Sequence, residues 1–168
     1  MTTLFAQPYD QAANGFYFEC RDKYERKASA LRNDYGHPVE EFEIQFIDGD
    51  DIDCALAGAV GLTQGNAARF LEVAEEWEED QKIRYILAVG ECGYDFDLAN
   101  DDPRDLDVDI YEVETMRELA EQFVDEGLCG EIPDSMHFYF DYDAYARDLA
   151  VDYSVTTING SRIIYRCG

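Results

Sequence analysis

Leu119-Ala120-Glu121-Gln122-Phe123-Val124-Asp125-Glu126-Gly127-Leu128-Cys129-Gly130-Glu131-Ile132-Pro133 reads as a helix with its stop behind it. Val113, Met116, Ala120, Phe123 and Val124 fall on one face at helical spacing. Gly127 stands where a left-handed residue closes a helix, and Ile132-Pro133 turns the chain away. Just upstream, Asp105-Leu106-Asp107-Val108-Asp109-Ile110 alternates three aspartates with three aliphatics, the period of a strand. Downstream, Asp141 to Leu149 reads as a short helix. Val151–Ile158 and Ser161–Arg166 then flank Asn159-Gly160, a pair that favours a type I′ hairpin turn. Residues 105–168 therefore predict a C-terminal α+β unit.

The same periodicities organise the chain before it. Gly15 to Cys20 reads as a strand, and Asp22 to Asn33 as a helix with Tyr24, Ala28 and Leu31 on one side. Gly36-His37-Pro38 interrupts it. Phe42, Ile44 and Phe46 alternate with Glu41, Glu43 and Gln45 in a half-buried strand, ended by a turn at Asp48-Gly49-Asp50-Asp51. Residues 1–61 thus predict an N-terminal α+β domain. Thr63 is placed to cap a helix running to Asp80, with Phe70, Leu71, Ala74 and Trp77 inward and Glu72, Glu75, Glu76 and Glu79 outward. Lys82 to Val89 fits either a helix or a buried strand, and Asp95 to Asp105 is an acidic loop containing Pro103. Residues 62–104 predict an acidic, mainly helical middle domain. The expected fold is α+β, a chain of three small units: mixed, mainly helical, mixed.

Charge is the strongest compositional signal. There are 38 acids against 13 bases, a net of −25. Residues 48–118 alone carry 21 acids and 5 bases. Such a field repels nucleic acid and membranes and attracts basic surfaces. No run of 18 apolar residues exists to span a bilayer, and Met1 to Asp10 lacks a basic region followed by a long apolar stretch. The expected location is the cytoplasm.

Templates for catalysis and metal binding fail one after another. An EF-hand needs oxygen ligands at loop positions 1, 3 and 5, Gly at 6 and Glu at 12. From Asp95 the fifth residue is Ala99 and the sixth Asn100. From Asp105 the sixth is Ile110 and the twelfth Met116, and from Asp48 the fifth is Ile52. The five cysteines contain no CxxC pair for a zinc knuckle. His37 and His137 stand alone, without HExxH, GxSxG or a phosphate-binding glycine loop. No enzymatic activity, no metal and no cofactor are expected.

The acids can instead be read as a pattern. Duplex DNA carries one negative charge per ~1.7 Å of axis, so 38 acids match roughly 65 Å of duplex, on the order of 19 base pairs. Same-face residues on a strand are ~6.6–6.8 Å apart, about two base-pair rises. Candidate phosphate-like acids are Asp48, Asp50, Asp51, Asp53, Glu72, Glu75, Glu76, Glu79, Asp95, Asp97, Asp101, Asp102, Asp105, Asp107, Asp109, Glu112 and Glu114. Composition alone fits a halophile-adapted soluble protein of other function equally well, since the chain has only three lysines.

The segment quoted first decides between them. Leu119 to Pro133 resembles the antirestriction motif of the ArdA family. Tyr139-Phe140-Asp141-Tyr142-Asp143-Ala144-Tyr145-Ala146-Arg147-Asp148-Leu149 resembles that family's tyrosine-rich signature. Leu4 to Phe18 carries only fragments of the family's opening strand pattern. The resemblance implies an elongated chain of three small domains and a homodimer joined through the C-terminal one. It implies a row of carboxylates mimicking DNA phosphates in the DNA-binding groove of type I restriction–modification enzymes, on their methyltransferase core. It also implies inhibition of both restriction and modification, a property useful to mobile genetic elements; an ArdA-like mimic aimed at a different DNA-binding target is the alternative. Motif and dimer contacts are assigned to Leu119, Phe123, Val124, Gly127, Leu128, Gly130, Glu131, Ile132, Pro133, Tyr139 and Tyr142. Their apolar helix face fits burial in the domain's own core as well as it fits a contact.

Overall fold

Thr3-Leu4-Phe5-Ala6-Gln7-Pro8 forms strand β1 (Thr3–Pro8), the middle strand of the first sheet, where the sequence pattern showed no strand. It pairs antiparallel with β2 (Phe16–Phe18) and with β3 (Phe42–Asp48), in the order β2-β1-β3. Leu4 sits opposite both Phe18 and Phe46, and Ala6 opposite both Phe16 and Ile44. Leu4, Ala6, Phe18, Phe42 and Ile44 are buried, so one sheet face is core. The side chains of Ala6, Gln7 and Pro8 carry little β preference; two flanking strands supply what the local signal lacks. A Cβ at Gly15 would collide with the Phe5 ring and the Ala6 carbonyl, which is why glycine stands there. The computed structural model describes all 168 residues and is a mixed α and β structure with seven α-helices and two three-stranded sheets.

Helix α1 (Arg21–Ala30) buries none of its residues fully and meets the sheet through Tyr24, whose ring lies 4.9 Å from that of Phe18. Helix α2 (Asp51–Val60) begins inside the stretch read as a turn. Ile52, Asp53, Leu56 and Ala57 form its buried face, and Gly61 closes it at φ 68°. The helix expected from Thr63 to Asp80 is two helices. α3 (Ala67–Glu76) follows a turn in which the Thr63 carbonyl accepts from Asn66 N and Ala67 N. Trp77 is extended, at ψ 136°, and ends it. α4 (Glu79–Tyr85) restarts with a reciprocal cap between Glu78 and Gln81. The ambiguous stretch Lys82 to Val89 resolves as helix, continuing from α4 into a π-helical turn, Ile86–Glu91, with Ile86, Leu87 and Ala88 buried.

The chain divides into two compact units, Met1–Leu106 and Asp107–Gly168. In the second, the sheet order is β4-β6-β5, formed by β4 (Val108–Tyr111), β5 (Ser154–Ile158) and β6 (Ser161–Cys167). Asn159 (φ 52°) and Gly160 (φ 77°) make the expected primed hairpin turn. Helix α5 (Met116–Asp125) is capped by Thr115, whose hydroxyl accepts from Glu118 N at 3.1 Å. Helix α6 (Asp134–His137) is a single turn, and α7 (Tyr142–Asp152) is capped by Asp141. Leu119, Phe123, Tyr153 and Ile164 form the core of this unit, with Tyr111, Val113, Met116, Tyr145 and Leu149 packed against it.

Candidate functional site

Two surfaces stand out, one acidic and one apolar. Of the acids singled out in the sequence, only Asp53 is buried; Glu72, Asp102 and Asp109 are half-buried and the others exposed. Asp53 is therefore corrected from a surface charge to a core residue. Its carboxylate accepts from Lys82 Nζ at 2.6 Å and from Thr2 Oγ1 at 3.2 Å, and Lys82 also donates to the Ala74 carbonyl at 2.7 Å. A carboxylate so enclosed cannot present charge to a partner.

The remaining acids of the first unit gather at three places. Asp48, Asp50 and Asp51 surround the N-terminus of α2, where negative charge also favours the helix itself. Glu72, Glu75 and Glu76 lie on α3. Glu79 opens α4 instead, because Trp77 breaks the helix between them. Glu72 is the most compensated of these. Arg21 Nε lies 2.7 Å from it and Arg69 Nη1 3.3 Å, and the Arg21 hydrogen bond holds its carboxyl below the usual range. Arg69 reaches Glu76 as well, at 3.1 Å.

The third place is the loop holding Asp95, Asp97, Asp101 and Asp102. Asp97 accepts from Asn100 Nδ2 at 2.7 Å and Ala99 N at 3.0 Å, and both bonds depress its pKa. Arg104 holds the Asp102 carboxyl far below the usual aspartate range. Asp105 lies in a 3-10 turn, Pro103–Asp105, and Asp107 precedes β4, so only Asp109 of the expected three-residue ladder lies in the strand. Asp109 is paired with Arg166 at 2.7 Å. Glu112 and Glu114 are exposed between β4 and α5.

The apolar surface grows from the end of α5. Leu128 N donates to the Phe123 carbonyl (3.0 Å) and Gly127 N to that of Val124 (3.1 Å), the paired bonds of a Schellman cap, with Gly127 at φ 81°. A second left-handed glycine follows, Gly130 at φ 85°. Together they throw the chain outward, leaving Leu128 64 %, Met136 51 %, Phe138 90 % and Tyr139 75 % exposed. Val124, Gly127, Gly130, Ile132, Asp134 and His137 line an open cleft of about 640 Å³ beside them. His137 Nε2 donates to the Ile132 carbonyl at 2.9 Å and braces the turn.

The motif thus splits by role. Leu119, Phe123 and Val124 are core, so their assignment as contact residues is corrected. Leu128, Gly130, Glu131, Pro133 and Tyr139 are exposed, and Ile132 and Tyr142 half-buried, with Arg117 stacked 5.8 Å from the Tyr142 ring. Met136 and Phe138 were absent from the sequence-derived set. They sit in a segment too short for any periodicity, and only their apolar character between Pro133 and Asp141 could have marked them. A hydrogen bond between Tyr145 and Cys129, aided by burial, pushes the Tyr145 phenol up to about 12, which keeps it neutral. No group of three His, Cys, Asp or Glu side chains is placed to hold a metal ion, and no helix is long and apolar enough to cross a membrane.

Comparison with known proteins adds a family to this geometry. A sequence model described as Antirestriction protein (ArdA) matches residues 15–163. No curated protein matches the chain.

Proposed function

The chain belongs to the ArdA antirestriction protein family, and on that premise we propose that it is a DNA mimic. It occupies the DNA-binding groove of type I restriction–modification enzymes, on the methyltransferase core, and inhibits restriction and modification without catalysing a reaction. The observation that carries this reading is the exposure of thirteen of the seventeen singled-out carboxylates of residues 48–114 on a chain of net charge −25. A basic groove built for phosphates attracts such a surface at long range.

On the same reading the protein needs no cofactor, acts in the cytoplasm where restriction enzymes meet DNA, and does not bind nucleic acid itself. It works as a homodimer joined through Leu128, Met136, Phe138 and Tyr139, since exposed apolar groups on an acidic chain favour contact where repulsion is least. On the same reading the chain forms three small domains, bounded at 1–61, 62–104 and 105–168, and limited proteolysis near residues 61 and 104 tests this.

The deciding experiment is competition. Duplex DNA is titrated against the protein on a purified type I methyltransferase, at low and at high salt. Mutually exclusive binding that weakens with salt supports mimicry, because screening shortens to ~3 Å at 1 M. Simultaneous binding of DNA and protein overturns it.

A further inference from the structure

The loop carrying Asp95, Asp97, Asp101 and Asp102 is held by an aromatic knot. Phe96 sets its ring edge-on against Tyr85 (5.0 Å, 88°) and Trp77 (6.0 Å, 89°), and those two rings lie 5.4 Å apart. Tyr85 is buried, so the knot is rooted in the core between α3 and α4. Two residues on, Arg69 Nε donates to the Leu98 carbonyl at 3.1 Å and ties the loop to α3. Packing Phe96 there adds to stability whatever the loop is for. A loop that presents charge to a partner gains, because side chains and backbone ordered beforehand need not be ordered on binding.

We propose that Phe96 is a positioning residue for the inhibitory surface: docked on Trp77 and Tyr85, it fixes the loop carboxylates in the geometry that the target's cations meet. This rests on the mimic reading above. Phe96 touches no partner itself and acts through the four aspartates beside it.

The test uses the full chain and a purified type I methyltransferase. F96A keeps every charge, so the association rate, set by the long-range field, stays within about twofold. The dissociation rate rises about tenfold as the loop must order on contact. F96L, which keeps an apolar plug, restores most of the loss. In the free protein, F96A changes the emission of Trp77, the only tryptophan, and speeds amide exchange at Ala99 and Asn100. If circular dichroism shows F96A misfolded, F96V decides instead. It loosens the same knot while keeping an apolar side chain against Trp77 and Tyr85, and it too should raise dissociation.

Wild-type dissociation in a folded F96A (or in F96V, where that variant decides), or exchange at Ala99 unchanged by the deciding variant, overturns the inference while leaving the mimic reading intact. Failure of the wild-type chain to compete with DNA overturns the mimic reading and the role of the loop with it.

Discussion

Lys82 Nζ lies 2.6 Å from Asp53 Oδ1, and both side chains are buried. The pair joins α2 to α4, and Thr2 and the Ala74 carbonyl complete its hydrogen bonding. K82M strands a buried carboxylate and should cost about 3–5 kcal/mol, whereas K82M/D53L removes both charges and should recover most of that. Urea denaturation of the two variants measures the difference; equal stabilities would show that the pair is not what holds these helices.

The apolar loop and the core behind it respond differently to charge. Phe138→Lys, Tyr139→Lys or Leu128→Lys should give folded monomers, because these side chains are exposed. Phe123→Lys should lose the fold of the C-terminal unit, because Phe123 is buried against Tyr111 and Tyr153. Sedimentation with circular dichroism separates the outcomes. A wild-type monomer at micromolar concentration would end the proposal of a dimer through this loop.

Target binding should fall in steps as acids are neutralised. Exposed pairs are each worth ~0.2–1 kcal/mol, so Asp95→Asn or Glu75→Gln alone should weaken binding less than about tenfold. Neutralising Asp95, Asp97 and Asp101 together, or Glu72, Glu75 and Glu76 together, should weaken it progressively, with the fold kept. Abrupt loss from one exposed substitution, with the fold intact, would argue for a discrete site instead of a summed field.

Asp97 and Asp102 should stay charged well into acid. Asn100 and Arg104 lower the pKa values of Asp97 and Asp102 below the ordinary 3.8. A carboxylate depressed by folding stabilises the fold above its unfolded pKa, and that contribution is lost as pH falls through the folded value. The window therefore lies below about pH 4, and Asp97 and Asp102 should remain anionic at pH 5. Carboxyl carbon NMR titration should place both midpoints under 3.8, and R104A should move Asp102 upward. Midpoints at or above 3.8 would contradict the hydrogen bonding described.

Strong local patterns were legible in the sequence. The alternation of Phe42, Ile44 and Phe46, the Asn159-Gly160 hairpin and the Gly127 helix stop all appear where the residues put them. What escaped depends on distant partners. β1 is a strand because β2 and β3 flank it, while its own Gln7 and Pro8 argue against one. Trp77 breaks a helix whose apolar spacing runs straight through it, since its ring packs with Tyr85 and Phe96. Asp53 looks like its neighbours Asp50 and Asp51 until Lys82, distant in sequence, encloses it. Phe138 shows in sequence as one aromatic among many, and its exposure follows from two glycines that turn the chain before it.

Arg69, bridging Glu72, Glu76 and the Leu98 carbonyl, has a thermodynamic consequence for any mimic built this way. DNA is shadowed by mobile cations, and their escape into bulk solution drives much of its association with proteins. Arg21, Arg69, Arg104 and Arg166 are counterions tethered by the chain itself, and no basic groove can set them free. Each lowers the number of small ions released per carboxylate engaged. The logarithm of the protein's affinity should therefore fall less steeply with the logarithm of salt concentration than that of a duplex presenting as many phosphates.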